Sequence, residues 1–125
     1  MNEIAFSELM EAAFTALPSN FREACDGLAI RVKDFPTDDV MAALQLSDPY
    51  QLLGLYHGIN LARKSSSDLP SLPDTVYLYR LPILAYAEVT GHPVSTVIEH
   101  VLTHEIGHHF GLSDADMEAI EAASG

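Results

Sequence analysis

The chain has 125 residues, of which 48% are hydrophobic, and its 6 basic against 18 acidic residues give a formal net charge of −12. A chain of this kind is large enough for one domain with a single core, and its charge disfavours nucleic acid and anionic membrane surfaces as partners. The N-terminus lacks the features of a secretory signal, and no segment approaches the roughly 20 apolar residues of a membrane span. The single cysteine, Cys25, excludes an internal disulfide and is expected to be a small buried residue. We therefore expect a single cytoplasmic domain over residues 1–125.

The first part of the chain shows two kinds of apolar periodicity. Apolar residues three or four apart predict amphipathic helices, whereas strict alternation predicts half-buried strands. Prolines and Asp-Gly or Asp-Pro pairs separate these segments, and Thr37-Asp38-Asp39 is a capping sequence for the second helix. In chain order, the predicted elements are a helix over residues 4–17, a strand over 28–35, a short helix over 40–44 and a short strand or hairpin over 52–61, with His57 exposed in a turn.

A polar loop over residues 63–68 precedes the strongest strand signal, residues 74–80, which are rich in β-branched and aromatic side chains. Pro82 cannot donate to a sheet, so this strand ends there or lies at a sheet edge. An edge strand beside a catalytic site would pair with the backbone of a peptide, and an ordinary core strand is the alternative. The remaining predicted elements are a helix over 83–89 closed by Thr90-Gly91, a long helix over 94–110 that begins at Pro93, and a short helix over 114–123 capped by Ser113.

The long predicted helix contains the pentapeptide His104-Glu105-Ile106-Gly107-His108, which has the His-Glu-x-x-His spacing of a zinc site. Two histidines four apart project from the same face of a helix, so both imidazoles can reach one ion. Glu105 is the predicted general base, which takes a proton from a metal-activated water and passes it to the leaving amine. The alternative is a solvated helix end on which Glu105 is a surface carboxylate.

The motif continues to a third candidate ligand. Gly111 stands where a helix needs a residue of positive φ in order to end, and Asp114 follows ten residues after His104. Metzincin-type zinc peptidases place their third ligand at this spacing. Asp114 is therefore the favoured third ligand, and stabilisation of the next helix N-terminus is its competing role. The reserve ligands are Asp116, His109 and Glu118.

Several other side chains are candidates for supporting roles. His100, one turn before His104, is expected to support the site from nearby or to lie at the surface. His109, if it is not a ligand, is expected to line the cleft or to bond a backbone carbonyl. The candidates for stabilising the oxyanion of an acyl-transfer reaction are Tyr77, Tyr79, Tyr86 and Arg80, and no feature of the sequence selects among them.

The stretch from His104 to Met117 resembles the signature of a small family of bacterial zincin-like metallopeptidases. The segment Leu52-Leu53-Gly54-Leu55-Tyr56-His57-Gly58-Ile59 is similar to the family's Leu-Gly-Leu-Tyr-x-Gly segment. The stretch from Leu69-Pro70 to Arg80-Leu81-Pro82 is similar to its proline loop, strand and Arg-x-Pro exit. The resemblance covers roughly residues 25–120. It implies an α+β fold of the minimal zincin type, in which a small mixed sheet packs against helices and the motif helix near the C-terminus is the active-site helix.

The motif and the resemblance together predict a zinc-dependent peptidase, with Zn²⁺ held by His104, His108 and Asp114 and with a peptide or protein as substrate. The alternative is a module that keeps the zincin shell and binds metal or another protein with little or no catalysis, because a small chain leaves little for the walls of a cleft. A regulatory partner of the toxin–antitoxin kind is a third hypothesis, without a positive feature in the sequence. Metzincins place a methionine turn well downstream of the third ligand, whereas Met117 follows closely and is expected in the core, so the similarity to metzincins is local.

Overall fold

The computed structural model of the chain describes residues 1–58 and 74–111, which contain five α-helices and three β-strands. This composition confirms the predicted α+β class. In chain order the elements are α1 (Glu3–Thr15), α2 (Ser19–Ala24), β1 (Ala29–Lys33), α3 (Asp38–Ala43), a 3₁₀ turn (Pro49–Gln51), β2 (Gly54–His57), β3 (Thr75–Tyr79), α4 (Arg80–Thr90) and α5 (Val94–His109). The polar loop predicted over 63–68 and the helix predicted over 114–123 lie outside the described residues. No helix in the described ranges is both long enough and apolar enough to cross a membrane.

Local sequence signals account for the ends of the helices. The side chain of Asn2 accepts a hydrogen bond from the Ala5 amide at the start of α1. Within the predicted capping sequence, Thr37 is the residue that caps α3, by accepting a hydrogen bond from the amide of Val40. Gly91 follows α4 with a φ of 77°, a left-handed conformation that glycine adopts without steric cost. The helices predicted at these positions are therefore confirmed.

The three strands form one mixed sheet in the order β1-β3-β2, in which β3 is parallel to β1 and antiparallel to β2. The strand predicted over 74–80 is confirmed, but the hypothesis that it is an edge strand is wrong, because β3 is paired on both sides. Pro82 does not interfere with this pairing, since β3 ends at Tyr79 and Pro82 lies in the first turn of α4. Among the described strands, β2 forms the edge of the sheet that contacts α5.

The described residues share a hydrophobic core between one face of the sheet and helices α1, α4 and α5. Its largest fully buried hydrophobic side chains are Phe6, Val76, Leu78, Ile83, Ile98, Leu102 and Ile106. Ile98, Leu102 and Ile106 follow each other at intervals of four and form one stripe of α5. Burial of each such side chain contributes about 1.5–3 kcal/mol, so the stripe fixes the rotation of α5 about its axis. Cys25 is also buried, as predicted, and burial raises the pKa of its thiol.

Candidate metal centre

Helix α5 brings three motif residues together on one face. His104, Glu105 and His108 each offer one ligand atom, and these atoms lie within 4.8 Å of one another. The imidazole rings of His104 and His108 are 5.2 Å apart between centroids, and their planes are nearly perpendicular at 81°. All three residues are half-buried, so solvent reaches a group that the helix holds in place. The juxtaposition follows from the four-residue spacing of the histidines on a helix.

This donor set fits a zinc ion. Zinc binds histidine nitrogen at about 2.0–2.1 Å, so two nitrogens on one tetrahedral ion are roughly 3.3 Å apart. That separation is shorter than 4.8 Å, the distance within which the ligand atoms of the three residues lie. Imidazole is also a ligand type that suits zinc, and a half-buried position leaves room for a further protein ligand and a water molecule. His104 and His108 are therefore the residues that would hold the ion, with the Glu105 carboxylate beside it.

The carboxylate of Glu105 is bonded to the edge of the sheet. Its Oε1 atom accepts a hydrogen bond of 3.1 Å from the backbone amide of Tyr56 in β2. Helix and strand are also in close contact at Gly54, where an added Cβ would lie 2.6 Å from Cγ1 of Val101 and 3.3 Å from Cγ of Glu105. Hydrogen bonds to charged acceptors are shorter and stronger than neutral ones, so the Tyr56 amide restricts the orientation of the carboxylate.

His109 belongs to a different, buried cluster. Its side chain is only 4% exposed, and its Nδ1 atom lies 3.1 Å from Oδ2 of Asp74, whose side chain is 8% exposed. The hydroxyl of Tyr56 donates to the same carboxylate oxygen at 2.8 Å. The expectation that His109 lines the cleft or bonds a backbone carbonyl is therefore wrong. In the described part of the chain, His109 also lies outside the group of possible ligands formed by the motif residues.

Two tyrosines near Glu105 have raised pKa values. Burial is the main cause of the raised pKa of Tyr56, and the hydrogen bond to Asp74 and the charge of that carboxylate raise it further. Burial also raises the pKa of Tyr79 to about 12, with smaller contributions from Tyr77 and from the charge of Glu105. Both hydroxyls therefore stay protonated at neutral pH and add no negative charge near the carboxylate of Glu105.

Two neighbouring pockets that share lining residues lie along α5, between the motif and the N-terminal end of that helix, and we refer to them together as the recess. The part nearest the motif has a volume of about 200 Å³, and its lining residues are Leu53, Gly54, His100, Val101, His104 and Glu105. A second part of about 370 Å³ shares Leu53, His100 and Val101 and is further lined by Tyr86, His92, Thr96 and Val97. His100 is exposed, as expected, and its ring centroid is 5.9 Å from that of His104. The recess therefore combines apolar walls with imidazole groups beside the motif.

The four side chains considered for an oxyanion differ in their positions. Tyr86 lines the outer part of the recess, and its side chain is 46% exposed. Tyr79 is buried and stacks on Tyr77 with 6.3 Å between ring centroids. The Nε and Nη2 atoms of Arg80 each lie 2.9 Å from Asp34, and its Nη1 atom donates to the carbonyl of Met1 at 2.8 Å. Arg80 thus joins the N-terminus to the end of β1, whereas Tyr86 borders the recess.

The predicted end of the motif helix is confirmed. Gly111 has a φ of 80°, in the left-handed region that favours glycine, directly after α5. Asp114 and the reserve ligands Asp116 and Glu118 lie outside the described residues. The assignment of the third ligand therefore stays a prediction.

Sequence reasoning missed the part that Gly54, Tyr56 and Asp74 take in this site. The resemblance pointed to the segment that contains Gly54 and Tyr56 without indicating what the segment contacts. Asp74 carried a signal of its own, because an acid beside an apolar strand is buried only when it has polar partners. Its partners come from β2 and from α5, and neither is close to Asp74 in the sequence.

Comparison with known proteins agrees with this geometry. The family model described as zincin-like metallopeptidase matches residues 25–123, a range that begins just before β1 and includes the whole motif. A search of curated proteins finds no match to the chain. The matched range agrees with the extent of the resemblance in the sequence, and together with the observed helices and mixed sheet it confirms the predicted zincin-like fold.

Proposed function

This chain belongs to the zincin-like metallopeptidase family, and from that membership we propose that it is a zinc-dependent peptidase with Glu105 as its general base. The family indicates a metal-dependent hydrolase that acts on peptides or proteins. One observation supports the finer assignment most strongly. The ligand atoms of His104, Glu105 and His108 lie within 4.8 Å of one another on a half-buried face of α5.

The proposed ligands are His104 and His108 from α5 and Asp114 from beyond the turn at Gly111. Gly111, one residue after the C-cap Phe110, has a left-handed conformation that ends the helix and allows the following chain to change direction. When bound, zinc acts as a Lewis acid that polarises a carbonyl group and lowers the pKa of water to about 7.

Glu105 supplies the proton transfer in this proposal. Its carboxylate accepts a proton from the attacking water, whose oxygen adds to the carbonyl carbon of the scissile peptide bond. The carbon–nitrogen bond then breaks, and Glu105 donates the same proton to the leaving nitrogen. The hydrogen bond from the Tyr56 amide to Oε1 holds the carboxylate at the helix–sheet boundary during both transfers.

The recess along α5 is the proposed binding place for the substrate. Its inner part is lined by His104 and Glu105, and its outer part by side chains such as Val97 and Tyr86. Burial of an apolar substrate side chain on such walls contributes roughly 25 cal/mol per Å² removed from water. We therefore expect peptides with a large apolar residue near the scissile bond to be preferred.

The test compares the zinc-loaded protein with Glu105→Gln on a peptide library, with the products analysed by mass spectrometry. Glutamine keeps the size of the side chain but cannot accept the proton, so kcat should fall by roughly 100-fold or more, while the zinc content is unchanged. Glu99→Gln is the matched control, because Glu99 is an exposed residue of the same helix. Equal turnover by wild type and Glu105→Gln would remove Glu105 from the mechanism. Absence of cleavage by the zinc-loaded wild type would favour the metal-binding or interaction module.

A further inference from the structure

We propose that residues 54–58, Gly54-Leu55-Tyr56-His57-Gly58, are a positioning segment that sets the location of the Glu105 carboxylate relative to the two histidines. The segment comprises β2 and the glycine that follows it. Its catalytic meaning rests on the proposed function, whereas the positioning itself can be measured without turnover. None of its residues would touch the reacting atoms, so they are positioning residues.

The positioning segment and α5 contact each other at matching intervals. Alternate residues of a strand lie on one face about 6.6–6.8 Å apart, and residues four apart in a helix are separated by about 6 Å along its axis. Two successive contacts between the segment and α5 use this match, and a third contact reaches α5 through Asp74. Gly54 meets Val101 and Glu105, Tyr56 meets Glu105 and His109, and Gly58 meets Asp74, which bonds His109.

Gly54 determines the distance between the strand and the helix. A Cβ at this position would lie 2.6 Å from Cγ1 of Val101, 3.0 Å from the carbonyl oxygen of Tyr77 and 3.3 Å from Cγ of Glu105. Carbon atoms in favourable contact are about 3.5–4.0 Å apart. A side chain at position 54 therefore forces the side chains of Val101 and Glu105 away from β2, by rotation of these side chains or by movement of α5, and the Glu105 side chain is displaced in either case.

Tyr56 supplies the donor that orients Glu105. The amide of Tyr79 donates to the carbonyl of Leu53 at 3.0 Å, which identifies the pairs of β2 and β3 that exchange hydrogen bonds. In an antiparallel ladder such pairs alternate with pairs that exchange no hydrogen bonds. Leu55 and His57 are therefore hydrogen-bonded to β3, whereas the amide of Tyr56 points away from β3. That outward amide is the one that donates to Oε1 of Glu105 at 3.1 Å.

The side chain of Tyr56 connects this contact to the end of the motif helix. Its hydroxyl donates to Oδ2 of Asp74, and the same oxygen faces Nδ1 of His109, the neighbour of His108. Gly58 leaves the space that Asp74 occupies, because a Cβ at position 58 would lie 2.6 Å from Cγ of Asp74. Tyr56 therefore bonds the general base through its backbone and the ligand-bearing end of α5 through its hydroxyl and Asp74.

Amide hydrogen exchange tests the Tyr56 contact directly, with the full chain and no substrate. We expect Glu105→Ala to accelerate exchange of the Tyr56 amide by about tenfold or more relative to the amides of Leu55 and His57, which pair with β3. Glu99→Ala, an exposed position of α5, is the control and should change none of the three. Unchanged exchange at Tyr56, or equal acceleration of all three amides, would overturn the proposal.

Kinetics of the zinc-loaded protein test the role of Gly54. Displacement of a catalytic group by about 1 Å can cost 100-fold in rate, so Gly54→Ala should lower kcat by roughly this factor. A smaller change in KM is expected as well, because Gly54 also lines the inner part of the recess. Val101→Ala removes the nearest obstructing atom. In a protein that already carries Val101→Ala, the further change Gly54→Ala should therefore lower kcat by only about tenfold. Leu55→Ala, on the opposite face of β2, is the matched control. A purely structural glycine would instead lower the melting temperature and leave kcat unchanged below it.

The two experiments separate this proposal from the peptidase assignment. A kcat for Gly54→Ala within twofold of wild type would overturn the positioning role even if the protein is an active peptidase. If no peptide is cleaved by the zinc-loaded wild type, the proposed function fails, and the exchange rate of the Tyr56 amide still decides whether the positioning segment holds Glu105.

Discussion

The buried side chain of Tyr79 predicts a loss of stability in alkaline solution. Burial raises its pKa from the ordinary value of 10 to about 12, so the unfolded chain releases this proton at lower pH than the folded chain. The stabilising contribution is therefore complete below pH 10 and is lost as the pH rises toward 12. At pH 11 the difference corresponds to a factor of about 10 in the equilibrium constant for unfolding, or about 1.4 kcal/mol in the free energy of unfolding.

The assay is urea denaturation of wild type and Tyr79→Phe at pH 9 and pH 11. Between these pH values the wild type should lose about 1.4 kcal/mol more of its free energy of unfolding than Tyr79→Phe, which lacks the titrating hydroxyl. Comparison of the two proteins cancels the contribution of Tyr56, whose pKa is also raised by burial. Tyr86→Phe removes a hydroxyl from a side chain that is 46% exposed and is the matched control. Identical losses of unfolding free energy in wild type and Tyr79→Phe would show that the hydroxyl of Tyr79 does not have a raised pKa in the folded protein.

Two further predictions concern the ligands and the recess. Asp114→Ala should weaken zinc binding by roughly 100-fold, measured by competition with a chelator, whereas Asp116→Ala should change it little; the reverse order would assign the third ligand to Asp116. Thr96 is an exposed residue that lines the recess, so Thr96→Trp should reduce cleavage of peptides with large apolar side chains by about tenfold relative to peptides with small ones. An unchanged preference in the peptide library would place the substrate elsewhere.

The helices could be predicted because their signals are local. Thr37 caps α3, Gly91 follows α4, and the predicted helix over 94–110 corresponds to Val94–His109. The order of the strands could not be predicted in the same way, because pairing joins segments that are far apart in the chain. The burial of β3 contained a usable signal, however. Both of its faces carry large apolar or aromatic side chains, which is typical of a strand whose two faces are covered.

In the candidate site, too, the local features could be predicted from the sequence and the long-range contacts could not. The three motif residues lie on one helix, so helix geometry alone brings them together, as the sequence predicts. The contacts around them are long-range: Tyr56 lies 49 residues before Glu105, and Asp74 lies 35 residues before His109. Spacing within a segment carries no information about such contacts, which depend on how β2 and β3 pack against α5.

The most direct test of the proposed metal centre is a zinc titration of the wild-type chain and of the variants His104→Ala, His108→Ala and Glu105→Gln. The wild-type chain should bind one zinc ion. Either histidine variant should bind zinc with an affinity lower by about 100-fold or more, and Glu105→Gln with a nearly unchanged affinity. Failure of the wild type to bind zinc, or equal affinity in wild type and both histidine variants, would contradict the assignment of the metal centre to α5.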